Sequence, residues 1–318
     1  MRRALISVFI LVAAVCAVFG EAKKIRVGIL NGPSCVPVVQ MLEKSSYCDF
    51  SQYADPQALL PKLLKKEIDC GFLPANVAAK VYNSASKSVV LCAVTGNGNL
   101  KLITTDRTLR QLNDLRGKTL YVAGQGATPD YITRYLLSQN DIPADSSGGV
   151  TLSFSVPTAQ IAAQLISSKI DYAVVPEPFA TIAAEKSKDV IAAIDLQSEF
   201  KLLNGENADF PLTVLVVRRE FARNNQKILE KFLADYKKSF EWTVSHPVQA
   251  GNLCEKHNLG LAADIVAKAI PASNYVCVSA EDARADVEKF LGILLDFSAE
   301  SIGGALPEQD FYYGKTNP

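Results

Sequence analysis

The chain has 318 residues, of which 48% are hydrophobic, with 33 basic and 33 acidic side chains. That content supports buried cores and argues against a disordered chain. The balanced charge supplies no basic footprint for nucleic acid.

Arg2 and Arg3 precede an apolar run from Ala4 to Phe19, and small residues follow at Gly20 and Ala22. The run is shorter than the ~20 residues of a membrane span, so residues 1–22 are expected to form an export signal cleaved near residues 20–22. Cys16 raises lipid attachment as a second reading, although branched Val15 fits a lipoprotein cleavage site poorly. Without residues 1–20 the chain loses two arginines and no acids, which leaves a net charge of −2. The remainder exceeds the usual single-core size, so two lobes are expected. No later segment is long and apolar enough to span a membrane.

Six cysteines follow the signal, Cys35, Cys48, Cys70, Cys92, Cys254 and Cys277. They contain no C-x-x-C pair, which argues against a zinc or redox motif, and no cofactor motif is present. An exported protein could pair Cys254 with Cys277, while small buried thiols are the other reading, above all for Cys70 and Cys92.

In chain order, Ile25 to Leu30 reads as a strand that ends at Asn31-Gly-Pro-Ser34, and a helix starts near Pro33 or Ser34. A short strand from Phe50 to Ala54 hands over at Asp55-Pro56 to a helix with Leu59, Leu60, Leu63, Leu64 and Ile68 at helical spacing. Asp69 to Pro74 and Val89 to Thr95 are further strands, with Asn76 just past the first and the loop Gly96-Asn-Gly-Asn99 after the second. Strands alternating with helices predict a mostly parallel sheet covered on both faces.

Leu100 to Thr105 is β-like, and then the pattern restarts. Thr108 to Leu115 is a short helix, and Lys118 to Ala123 is a strand that opens through Gly124-Gln-Gly-Ala-Thr128 onto another helix. The two glycines allow a tight turn, Thr128 is placed to cap, and Pro129 suits the first helical position. Such a helix start leaves backbone N–H groups free to hold an anion or a carbonyl, although many α/β proteins contain the same turn with no ligand. Val150 to Val156 is a strand, Ala159 to Ile166 an apolar helix, and Asp171 to Pro178 a strand that ends in Glu177 between two prolines. Val190 to Leu196 and Leu212 to Val217 complete the strands. The pattern predicts a second lobe, residues 106–211, inserted into a first lobe of residues 23–105 and 212–318, with hinges near 104–107 and 209–214.

The rest is helical. Ile228, Leu229, Phe232, Leu233, Tyr236 and Phe240 form an apolar stripe that His246-Pro247 stops. Ser279 to Asp282 opens a helix as a capping box, and Val287 to Leu295 continue it.

Several stretches carry a resemblance. They are Leu112-Asn-Asp-Leu-Arg-Gly-Lys118, Gly124 to Thr128, Val175-Pro-Glu-Pro-Phe-Ala180, Arg218-Arg-Glu-Phe221 before the helix with Trp242, and the ending Ser301 to Pro307 with Phe311 to Tyr313. On these the chain resembles the solute-binding proteins of ABC importers in the nitrate, alkanesulfonate, taurine and thiamine-pyrimidine-precursor group. The resemblance implies an α/β type II periplasmic binding-protein fold, two doubly wound lobes joined by a two-strand hinge. It also implies a monomer, periplasmic or otherwise exported, that closes on a small molecule and docks on an ABC permease in the membrane, with no cofactor and no metal.

In such a fold ligands lie between the lobes at the carboxyl ends of strands. The candidate contacts are therefore Asn31, Gly32, Ser34, Asn76 and Asn97 from one lobe, with Gln125, Gly126, Ala127, Thr128, Glu177 and Phe179 from the other. Two helix starts favour an anionic or carbonyl group, whereas Glu177 and Asp130 favour an amine or ring N–H. A heteroaromatic or zwitterionic ligand fits both better than nitrate, because no arginine occurs in these turns. Each residue also has a plain structural role: Glu177 bracing a loop, Asn76 and Ser34 capping helices, Phe179 packing in its lobe.

Enzyme readings are weaker. The two histidines, His246 and His257, lie in the helical tail, so no Ser-His-Asp arrangement is supported and no catalytic residue is assigned. Cys35 reads better as a buried thiol than as a helix-start thiolate. The same fold serves enzymes of pyrimidine and menaquinone biosynthesis, and a ligand sensor presenting its closed form to a receptor is a further class.

Overall fold

A computed structural model describes residues 24–314. The expected export signal, its cleavage point and Cys16 lie outside the described residues. The described chain opens with β1 (Ile25–Leu30), a 3-10 helix (Pro33–Val38), α1 (Val39–Lys44), β2 (Cys48–Tyr53), α2 (Pro56–Leu64), β3 (Cys70–Pro74), α3 (Ala75–Ser84) and β4 (Val89–Asn97). Then come β5 (Leu100–Thr104), β6 (Thr119–Val122), α4 (Thr128–Gln139), β7 (Thr151–Ser153), α5 (Thr158–Ile166), β8 (Tyr172–Pro176), α6 (Phe179–Lys186), β9 (Ile191–Asp195) and α7 (Leu196–Asn204). It closes with β10 (Pro211–Arg218), α8 (Arg219–Asn224), α9 (Gln226–Ser245), α10 (Pro247–Lys256), α11 (Ala263–Ala269), β11 (Tyr275–Ser279) and α12 (Ala280–Phe297).

The strands form two sheets, a six-stranded one in the order β11-β4-β10-β3-β1-β2 and a five-stranded one in the order β7-β6-β8-β5-β9. Strand β1 pairs parallel with β2 and β3, and β6 pairs parallel with β7 and β8. Each sheet also holds reversed strands: β10 runs antiparallel between β3 and β4, β11 runs antiparallel to β4 at the edge of the same sheet, and β5 runs antiparallel between β8 and β9. The carboxyl ends of the parallel strands and the starts of the reversed strands therefore share one edge in each sheet. That edge is where a ligand site is expected in α/β folds.

The strands are apolar because helices cover both faces of each sheet. In the six-stranded sheet α2, α3 and α12 pack on one face and α1, α9, α10 and α11 on the other, which is why β4 is buried nearly throughout. Ser239 of α9 donates to Pro37 O at 2.6 Å and ties that helix to the turn after β1. Ser279 caps α12, accepting from Asp282 N at 3.2 Å, as the capping-box pattern predicts.

Two sequence expectations shift. The first crossing between sheets is not near residues 104–107 but at Gly98–Asn99, because Leu100 to Thr104 already pairs with Pro176 to Tyr172 in the five-stranded sheet. A local pattern says that a segment is a strand without saying which sheet recruits it. Gly98 sits where a Cβ would meet Gln197 Oε1 at 2.0 Å and Phe210 Cζ at 2.4 Å, so the crossing has room for glycine alone. The second shift concerns the cysteines, all six of which are free. Cys254 is buried in α10 and Cys277 lies half-buried in β11, so the suggested pair does not form.

Candidate functional site

Where the two edges meet, a cavity of about 160 Å³ opens. Asn31, Ser34, Asp55 and Pro74 line it from the six-stranded side, Gly124, Ala127 and Phe179 from the five-stranded side, and Leu212 and Thr213 where β10 begins. Most of the lining is apolar. Its one ionisable side chain is Asp55, which follows β2 and caps α2 by accepting from Ala58 N at 2.8 Å. No lysine, arginine or histidine is among the lining residues.

Asn31, Ser34, Ala127 and Phe179 are thus brought together as the sequence suggests. Gly32 supports them, with φ 106° and a backbone so close to the Phe179 ring that a Cβ there would sit 3.3 Å from Cε2. The ring reaches across from the five-stranded side and lies against the backbone after β1. Ser34 also fixes the strand end, because its hydroxyl donates to Leu30 O at 3.1 Å and accepts from Leu30 N at 3.3 Å.

The other candidates lie elsewhere. Asn76 is fully buried in the first turn of α3, where it donates to Gly126 O at 3.1 Å and Ser301 O at 3.2 Å and accepts the Thr128 hydroxyl at 3.1 Å. It latches the two sides together instead of lining the cavity. Thr128 is consequently not the cap of α4; Ala127 holds that position and no side chain caps it. Two N–H groups of the turn before this helix start are also taken. Gly126 N–H donates to the Asp130 carboxylate at 2.8 Å, and Ala127 N–H donates to Gly124 O at 3.0 Å. Asp130 is in turn held by Arg134 at 2.7 Å. The chain's own carboxylate takes one of the donors at which an anion was expected.

Gln125 is exposed outside the lining, and Asn97 is half-buried with its amide 3.4 Å from Asp209, joining the two crossings between sheets. Glu177, only 4% exposed, accepts from Thr181 N at 3.0 Å and braces the start of α6, again outside the lining. Burial raises its carboxyl above the ordinary range, and the Thr181 hydrogen bonds offset part of that. It therefore plays the bracing role.

Asp55, Thr158, Leu212 and Thr213 are among the lining residues that sequence reasoning did not select. Asp55 and Thr158 follow strand ends and open helices, the same signal that selected Ser34 and Thr128, and could have been found by applying it to every junction. Leu212 and Thr213 carry no such signal, because they begin a reversed strand.

The candidate nucleophile has no support. Cys35 is buried, its thiol donates to Gly32 O at 2.9 Å, and burial pushes it up to about 12. His246 stacks on Trp242 and His257 contacts Glu43 at 3.0 Å, both away from the cavity lining. Among the described residues no cluster of three or more His, Cys, Asp or Glu side chains could hold a metal, and no helix is long and apolar enough to cross a membrane.

The sequence pattern of the NMT1-like family matches residues 20–254. The chain belongs to the NMT1-like family. Its fold is that of periplasmic binding proteins, shared with solved structures of ABC-type solute-binding components. An ABC transporter protein from Parabacteroides distasonis is 25% identical with a TM-score of 0.76, and the match covers 92% of this chain and 99% of that one. The aliphatic sulphonate binding protein SsuA of Escherichia coli is 18% identical with a TM-score of 0.66, covering 86% and 92%. The nitrate-binding protein NrtA of Synechocystis PCC 6803 is 12% identical with a TM-score of 0.71, covering 92% and 87%. No curated protein matches by sequence. The NMT1-like assignment thus agrees with the resemblance carried by the strand-end motifs.

Proposed function

We propose that the chain is the exported solute-binding component of an ABC importer, a monomer that takes a small polar heteroaromatic compound into the cleft between its two lobes and delivers it to a membrane permease. The descriptions of its structural relatives, an ABC transporter protein and sulfonate- and nitrate-binding proteins, support the transport role over a biosynthetic enzyme. The choice of ligand rests on one observation: the cleft presents an aromatic face, Phe179, and a single acid, Asp55, with no cation. A bare oxyanion buried there would lack the charged donors it needs. A flat ring gains area against Phe179, and its N–H groups find acceptors. Neutral or weakly basic heteroaromatics therefore fit better than sulfonates, nitrate or the anionic end of a zwitterion.

The ligand would bridge both edges and stabilise the closed arrangement by binding it more tightly than an open one. Native mass spectrometry of protein purified without refolding would identify a retained molecule. A thermal-shift panel complements it, since a ligand at a hundred times its Kd adds about 2.7 kcal/mol to stability. Aminopyrimidines are expected to raise the Tm, and nitrate and alkanesulfonates to leave it unchanged. Stabilisation by the oxyanions alone would overturn the ligand reading. Turnover of a pyrimidine by the pure protein would restore the enzyme reading.

A further inference from the structure

Behind the cleft lies a second, smaller chamber of about 10 Å³, sharing Ser34, Leu212 and Thr213 with it as common walls. That is room for about one water-sized group. Asn99, Tyr236 and Tyr275 help to close its inner side. Asn99 is one of the two residues at the first crossing between sheets, and Tyr236 comes from the middle of α9. The chamber therefore lies against the crossing that joins the two sheets.

Two of its wall residues carry polar atoms without partners. Asn99 is 3% exposed and Tyr236 1% exposed, and neither Asn99 Oδ1 nor the Tyr236 hydroxyl has a hydrogen-bond partner. The Asn99 amide is oriented by its own Nδ2, which donates to Ser273 O at 2.7 Å, so Oδ1 is the atom left over. Thr95 is a polar neighbour of Tyr236 whose hydroxyl donates to Thr213 O at 3.1 Å and keeps its acceptor lone pairs, but the Tyr236 hydroxyl makes no bond of ordinary geometry to it. Burial raises the Tyr236 phenol well above its ordinary value, so it stays protonated and can donate. Buried polar atoms are almost always satisfied, and two orphans beside one cavity mark a place where something else completes them.

We propose that this chamber is a polar subsite of the cleft, which takes one small uncharged N–H or O–H group of the ligand. The group donates to Asn99 Oδ1 and exchanges a second hydrogen bond with the Tyr236 hydroxyl. A ring amino or hydroxyl substituent meets both demands. A carboxylate, sulfonate or phosphate can accept from the Tyr236 hydroxyl but has no proton for Asn99, and no cation lines the chamber to offset its charge. This inference rests on the reading of the cleft as a ligand site and adds to it the part of the ligand that is recognised.

The test compares isosteres, 4-aminopyrimidine and 4-methylpyrimidine, by ligand-observed NMR on the full mature protein and on Tyr236→Phe, with the crystal structure of the better-bound complex. Wild type is expected to prefer the amino compound by about tenfold, the worth of one buried hydrogen bond. Y236F should lose most of that preference while keeping its Tm within a few degrees, and the amino nitrogen should lie within hydrogen-bond reach of Asn99 Oδ1. Equal preference in both proteins, or a chamber holding water only while a ring occupies the cleft, overturns the subsite and leaves the cleft reading standing. Failure of both compounds to bind overturns the cleft reading and the subsite together. If Y236F does not fold, the crystal structure of the wild-type complex decides by the same distance.

Discussion

The two ends of the six-stranded sheet are built from the same strands and treat charge in opposite ways. At the end away from the cleft, Asp69 accepts Arg26 N and Nε at 3.0 Å and Nη2 at 2.7 Å, and Arg218 Nη2 at 2.6 Å. Lys66 pairs with Glu220 at 2.5 Å, and Arg219 reaches Asp310 at 3.0 Å and Lys87 O at 2.6 Å. Open cavities of about 440 and 470 Å³ surround this network, larger than the cleft itself. At the cleft end there is one acid, no cation, and behind it two polar atoms with no partner. Volume alone would point to the charged end. The charges of the far end are paired with one another, although Ser88 Oγ and Arg219 Nη2 there also lack partners, whereas the cleft lining carries one acid and no cation.

The largest expected effect is at the braced end. Asp69→Asn leaves two guanidinium groups without their shared carboxylate and should cost about 3 kcal/mol, read as a lower denaturation midpoint with ligand affinity unchanged. Burial alone would raise the Asp69 carboxyl, but the hydrogen bonds from Arg26 and Arg218 outweigh it and hold the pKa below its ordinary value. A lowered folded pKa contributes stability that is present above the unfolded pKa of about 3.9 and is lost as pH falls through the folded value. Wild type should therefore lose more stability than D69N between about pH 6 and about pH 3. An equal loss in both would mean that Asp69 is not the group responsible.

Next comes the latch between the two sides of the cleft. Asn76→Ala removes three hydrogen bonds that join α3 to the start of α4 and to Ser301, and leaves the buried Thr128 hydroxyl without its acceptor. A loss of about 2 kcal/mol is expected, with faster amide exchange at Gly126. Unchanged exchange there would deny Asn76 the latch role. At the cleft, Phe179→Leu keeps an apolar side chain but removes the ring. Affinity for a heteroaromatic ligand should fall by up to about tenfold while stability changes by less than about 1.5 kcal/mol. A loss of stability with no loss of affinity would return Phe179 to packing alone.

The smallest effect is at Asp55. Asp55→Asn preserves the α2 cap, because asparagine caps as well as aspartate, so the Tm should stay within about one degree. Binding of a weakly basic ring should weaken by about threefold at low salt and less at high salt, as expected for one partly screened charge. Equal effects on a neutral ring would locate the loss in hydrogen bonding instead.

Much of the fold was legible because its signals are local. Apolar runs marked the strands, Leu59 and Leu63 spaced the α2 face, and Ser279 with Asp282 opened α12. The cleft edge was legible too, since Asn31, Ser34, Ala127 and Phe179 all follow strand ends. The roles within it were less so. A turn such as Gly124 to Thr128 looks like an anion cradle until the neighbouring side chains are known, and here Asp130 takes the Gly126 N–H while Asn76 binds Gly126 O and the Thr128 hydroxyl.

The sequence by itself determined the alternation of elements, the strand-end turns and the family, because each depends on residues a few positions apart. The tertiary structure alone decided that β10 enters between β3 and β4, that the chain crosses at Gly98–Asn99, and that Glu177 braces α6 away from the cleft. Those outcomes depend on pairings between residues far apart in sequence. The same long-range packing brings Tyr236 of α9 and Asn99 of the crossing into one small chamber, and no local pattern contains that meeting.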